Sequence, residues 1–173
     1  MPIGNISQTG PTGHQVTNAI AEASQRTGVS FDYLMAQARV ESSMDPQARA
    51  STSSAVGLFQ FTRQTWLATL AEHGAAHGLS WASSGISRDA RGTYSISDPA
   101  LRQKVMDLRF DANASSLMAA TFADDNADML REQLGSEPEA VDLYLAHFLG
   151  GAGAVKFLTE WRENPDAAAA PLF

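Results

Sequence analysis

Residues 30–61 read SFDYLMAQARVESSMDPQARASTSSAVGLFQF, and this stretch decides the fold. Ser30 is a good N-cap, and Phe31, Leu34, Met35 and Ala38 recur behind it at helical spacing, which predicts a helix over 31–42. The next members of that stripe are positions 41 and 42, and position 41 is Glu. A carboxylate on an apolar stripe must be paired or neutral. Burial and the negative end of the helix dipole both favour its protonated form, which is the form a general acid needs. The alternative reading ends the helix earlier and leaves Glu41 solvated at its edge. Residues 44–58 are rich in Ser, Ala and Gly and read as irregular. Thr62 then caps a third helix that carries Trp66, Leu67 and Leu70 and ends near Gly74.

Upstream, a helix from about Gln15 to Thr27 places Val16, Ile20 and Ala23 on one face, with Gly28 at C′. Downstream, residues 74–97 contain four glycines among many serines and predict a long surface loop. Asp98-Pro99 starts a helix, Asp as cap and Pro at the first turn. The pattern stays helical to Leu134, broken near Asp111 and stopped at Gly135. Ser136 and Glu139 have capping-box spacing. The next helix carries Ala140, Leu143, Tyr144, His147 and Phe148 on one stripe. Gly150, Gly151 and Gly153 interrupt before a last helix with Phe157, Leu158 and Trp161. The expected organisation is a flexible leader over 1–13, one domain over 14–163 and a linker-like tail over 164–173. Ala occurs 29 times against 12 for Val plus Ile, which favours an all-α fold over a sheet.

The 173 residues suffice for one domain with a real core. A net charge of −7 argues against nucleic acid, whose binding needs clustered Lys and Arg. The chain has no Cys, so neither a disulfide framework nor a thiolate metal site is expected. His73 and His77 have the spacing of two metal ligands on a helix, but Gly74 and Gly78 weaken that helix and no third ligand stands out, so no metal is expected. Asp124, Asp125 and Asp128 read as a solvated helix face.

Glu41-Ser42, then Pro46, Ala48 and Ser51, then Gly57-Leu58-Phe59-Gln60-Phe61 together form a typed, spaced pattern. It resembles the catalytic core of the family 1 lytic transglycosylases, the soluble-transglycosylase domain with a goose-lysozyme-like fold. That family usually carries a third motif, Ala-Tyr-Asn-Ala-Gly. Here the match is Ala146-His147-Phe148-Leu149-Gly150, with His147 where Tyr is usual and Phe148 where Asn is usual. Tyr144, one turn earlier, offers a phenol to the same face. Asp111 takes the place of a family Asn.

The resemblance implies a lysozyme-like helical domain with a cleft, acting on peptidoglycan glycan strands. It makes Glu41 the catalytic residue, acid first and base second, cleaving the β-1,4 bond after N-acetylmuramic acid to leave a 1,6-anhydro end. Ser51 and Gln60 would sit at the carboxyl or the sugar, or alternatively cap a loop. Gly57 would let backbone approach closely. Phe59 would wall off Glu41 or simply pack the core. Tyr144 and His147 would orient the carboxyl, hold the sugar, or belong to the core. No cofactor is implied. A monomer in the periplasm or cell envelope is expected, with a flagellar or secretion assembly protein as the further candidate partner. A muramidase-type hydrolase and a weakly catalytic glycan-binding module are the alternatives on the same scaffold.

Overall fold

The computed structural model describes residues 13–166 and 168. The expected leader up to residue 12 and most of the expected tail therefore lie outside the described residues, while Gly13 already belongs to the first helix. Eight α-helices and one small hairpin occur among the described residues, and the fold is all-α as expected. In chain order they are α1 (Gly13–Thr27), α2 (Phe31–Ser42), α3 (Arg63–His73), α4 (Ser80–Ser83), β1 (Ser87–Arg88), β2 (Tyr94–Ser95), α5 (Pro99–Asp107), α6 (Ala112–Leu134), α7 (Ala140–Leu149) and α8 (Gly151–Glu163). A 3₁₀ turn, Leu108–Phe110, separates α5 from α6.

The caps follow local chemistry. The Ser30 hydroxyl accepts from the Tyr33 N–H, Thr62 from Thr65, Asp98 from Ala100 and Leu101, and Asp111 from Ala114, so each satisfies donors a helix start leaves open. The capping box of α7 is formed by Glu139 and Asp142, one turn later than the Ser136–Glu139 expectation. Ser136 instead receives the Arg162 guanidinium from α8 at 2.9 Å.

Three expectations need correction. The segment 74–97 is not a bare loop: it holds α4 and the β1–β2 hairpin, in register Ser87↔Ser95 and Arg88↔Tyr94. Two-residue strands are too short to show alternation, so only the turn was visible; there Asp89 Oδ1 accepts from Arg91 and Thr93 N–H at 2.9 and 2.8 Å. The buried face of α2 is Tyr33, Leu34, Gln37 and Ala38, with Phe31 and Met35 only half-buried. On α7 the fully buried residue is Ala146, whereas Phe148 is 73% exposed and Ala140 is also exposed. Both helices pack by a narrower, rotated stripe than their apolar residues suggest.

The main core gathers α1 to α6 around Ile20, Leu34, Leu58, Phe59, Trp66, Leu70 and Met118. Every residue from Ala114 to Thr121 is buried, which makes α6 the central helix. Its small residues let α1 lie along it through Ala19 and Ala23. Trp66 meets Phe61 edge-to-face at 5.1 Å, and its indole N–H donates to the Val105 carbonyl at 2.8 Å. A second, smaller cluster joins Leu130 of α6 to Ala146 of α7 and to Ala154 and Leu158 of α8.

Candidate active site

Glu41 stands in the last turn of α2, its side chain 20% exposed. The chain leaves this helix through Ser43 and Met44, both left-handed at φ 55° and 67°, a conformation that non-glycine residues adopt at a cost. Their N–H groups return to the carbonyls of Arg39 and Ala38, closing the helix end. Ser42 donates its hydroxyl to the Leu58 carbonyl at 2.8 Å, which anchors the following segment beside the acid.

That segment is irregular but tied at several points. Gly57 N–H donates to Ala48 O at 2.8 Å, and isolated bridges pair Val56 with Arg49 and Phe61. Gly57 has φ +81°, and a Cβ on it would stand 2.0 Å from the Arg109 carbonyl oxygen. The close approach that requires glycine is therefore to the 3₁₀ turn. Gln60, at φ 49°, turns its amide back to donate to Gly57 O at 2.9 Å. Arg109 is buried and donates to the carbonyls of Ser54, Phe61 and Met106 at 2.9, 3.2 and 3.1 Å. Burial, then the charges of Arg63 and Arg49, weaken its hold on the proton relative to a free guanidinium.

Across the cleft α7 brings His147, whose Nε2 lies 3.2 Å from Glu41 Oε1 with the imidazole 20% exposed. Its Nδ1 is buried and has no hydrogen-bond partner. The ring is edge-on to Phe122 at 6.3 Å and tilted against Tyr144 at 6.5 Å. Tyr33, eight residues before Glu41 on α2, is buried in the same corner. Its phenol is pushed up to about 12, chiefly by burial and next by the charges of Glu41 and Tyr144. A groove of about 370 Å³ opens at His147, lined by Gln60, Phe61, Thr65, Phe122 and Phe148 among others.

The structure thus brings Glu41, His147 and Tyr144 into one corner, and Gln60 to the groove beside it. Phe59 is 1% exposed and packs in the main core. Ser51 is exposed and has no hydrogen-bond partner among the described residues. Sequence reading missed Tyr33, Phe122 and Arg109. The spacing Tyr33–Gln37–Glu41 at successive turns carries the signal for Tyr33. Nothing local marks the other two, whose roles depend on tertiary packing.

His73 and His77 do not share a ligand site. His73 Nε2 pairs with Asp125 at 2.7 Å, which removes Asp125 from the expected solvated face, while His77 contacts Arg26 and Thr121 at 3.3 and 3.2 Å. Glu72, His73 and Asp125 do place three ligand atoms within 4.8 Å of one another, so these are the residues available to a cation.

Residues 18–79 match the transglycosylase SLT domain. The SLT match runs from α1 through the turn after α3 and contains Glu41, Ser51, Gly57, Phe59 and Gln60. Tyr144 and His147 lie beyond it. This match supports a lytic-transglycosylase type of glycan cleavage in general terms; proteins with this domain act on peptidoglycan in the envelope. Among the described residues no helix is long and apolar enough to cross a membrane.

Proposed function

We propose that this protein is a peptidoglycan lytic transglycosylase acting in the periplasm or cell envelope. It cleaves the β-1,4 bond between N-acetylmuramic acid and N-acetylglucosamine. The carboxyl of Glu41 gives its proton to the glycosidic oxygen, and the bond from that oxygen to the muramic acid anomeric carbon breaks. The muramic acid C6 hydroxyl oxygen then bonds to that carbon, and its proton returns to the Glu41 carboxylate. No water is consumed, and one group serves as acid and then base.

The observation that carries this reading is the identity of the group facing Glu41. The side chain within hydrogen-bond reach of Oε1 is an imidazole, His147, at 3.2 Å, a group that can steady one carboxyl through both proton transfers. The groove at His147 mixes aromatic, hydroxyl and amide groups, a lining suited to sugar rings and their N-acetyl groups.

Digestion of purified peptidoglycan followed by mass spectrometry of the fragments tests the proposal. Anhydro-muramic ends are expected. Reducing ends would replace it with a muramidase-type hydrolase, and an undigested polymer that retains bound protein would replace it with a glycan-binding module.

A further inference from the structure

Glu41 and His147 together have two seats for one proton. The pair is either a carboxylic acid beside a neutral imidazole or a carboxylate beside an imidazolium. In water the second form wins, because carboxyl groups are the stronger acids. The corner of α2, α6 and α7 changes that balance. An imidazolium carries N–H donors on both nitrogens, and here Nδ1 is buried without an acceptor. A charged donor left unpaired costs more than a neutral lone pair left unpaired. Both side chains are four-fifths buried, so separated charges are also poorly solvated.

Apart from Glu41 itself, the groups facing the ring add no compensating charge. From α2 come Glu41 itself and Tyr33, which stays a neutral phenol; from α6 comes Phe122; from α7 itself comes Tyr144. Gln60, from the segment after α2, spends its amide on Gly57.

We propose that His147 is the positioning residue of Glu41: a neutral imidazole with its hydrogen on Nε2, directed to Oε1, which leaves the shared proton on the carboxyl. This rests on the glycan-cleavage reading for its kinetic meaning but not for its geometry. With Nε2–H on Oε1, the acidic hydrogen occupies Oε2 and is free to pass to the glycosidic oxygen. Once it has passed, the same Nε2–H steadies the carboxylate until the C6 hydroxyl proton returns. The imidazole holds its own proton throughout.

Two measurements on the intact chain test this. Nitrogen-15 NMR of labelled histidines near neutral pH should show an unprotonated Nδ1 and a protonated Nε2 for His147, assigned by its loss in His147→Gln. A resonance pair with both nitrogens protonated would overturn the proposal, whether or not the protein cleaves glycan. In kinetics, His147→Phe should lower kcat by about tenfold or more with little change in KM. His147→Gln, which keeps an N–H near Oε1 but cannot titrate, should recover most of that loss. The alkaline limb of its kcat profile should stay within about half a pH unit of the parent. A limb displaced downward by about a unit or more would place the proton on the imidazole and overturn the proposal, as would parent-rate cleavage by His147→Phe. A parent protein that yields no fragments would defeat the cleavage reading, while the NMR pattern would still decide the state of the pair.

Discussion

The hydroxyl of Ser42 and the carbonyl of Leu58, sixteen residues apart, are joined at 2.8 Å, and this bond holds the helix bearing Glu41 to the segment bearing Gln60. The same oxygen lies 3.0 Å from Ala38 O, so the hydroxyl is shared between its own helix and the segment. Ser42→Ala leaves the Leu58 carbonyl without this donor. We expect it to lower stability by about 1 kcal/mol in denaturant titration. Glycan cleavage should fall by more than the folded fraction does. Equal losses in the two measurements would mean that the bond only stabilises.

Glu41→Gln keeps the size and hydrogen-bonding outline of the side chain but carries no transferable proton. Cleavage of purified peptidoglycan should fall by about a thousandfold or more while the circular dichroism spectrum and melting temperature stay near the parent's. Substantial lysis by the folded variant would remove Glu41 from the catalytic role.

Gly57 and Gly28 share a φ of +81° but differ in surroundings. A Cβ at Gly57 meets the Arg109 carbonyl at 2.0 Å, whereas at Gly28 nothing lies within 4 Å. Gly28→Ala should cost only the left-handed backbone penalty, about 1 to 2 kcal/mol. Gly57→Ala must also displace the 3₁₀ turn and should lose well over that, read as a lower denaturant midpoint or as insoluble protein. Equal costs at the two positions would contradict the close approach.

Tyr33 links the site to alkaline stability. Its ordinary value is 10.0 and burial with the Glu41 charge raises it to about 12 in the folded chain. The folded state therefore holds this proton more tightly than the unfolded state does. The associated stability is complete below about pH 10 and is lost as pH rises through about 12, roughly 2 to 3 kcal/mol in all. Tyr33→Phe should flatten the fall in stability between those two pH values, checked by urea midpoints across the window. An unchanged slope would show that the phenol does not titrate in this way.

Much of this was legible along the chain because the signals are local. Ser30, Thr62 and Asp98 cap the helices that their side chains predict, and the motif from Glu41 to Phe61 lies inside the stretch that matches the SLT domain. The hairpin at Ser87–Ser95 was hidden because two paired residues per strand leave no period to read. The rotation of α7 was hidden because Phe148 and Ala146 are both apolar, and only the neighbouring helices determine which of them is covered. The stripe of α7 offers Tyr144 and His147 alike to the carboxyl. The structure puts the imidazole there, at 3.2 Å, with Tyr144 beside that ring.

The acid and its neighbour belong to different parts of the fabric. Glu41 extends from a helix embedded in the large core, while His147 rides on a helix pair secured to α6 by Leu130, Ala146, Ala154 and Leu158. The smaller cluster excludes less apolar surface and so opens at a lower free energy than the whole molecule does. On warming, the two-helix flap is expected to detach first and to take the imidazole with it. Cleavage should then be lost at a lower temperature than the helical signal of the main core, and the weaker seam would set the upper working temperature.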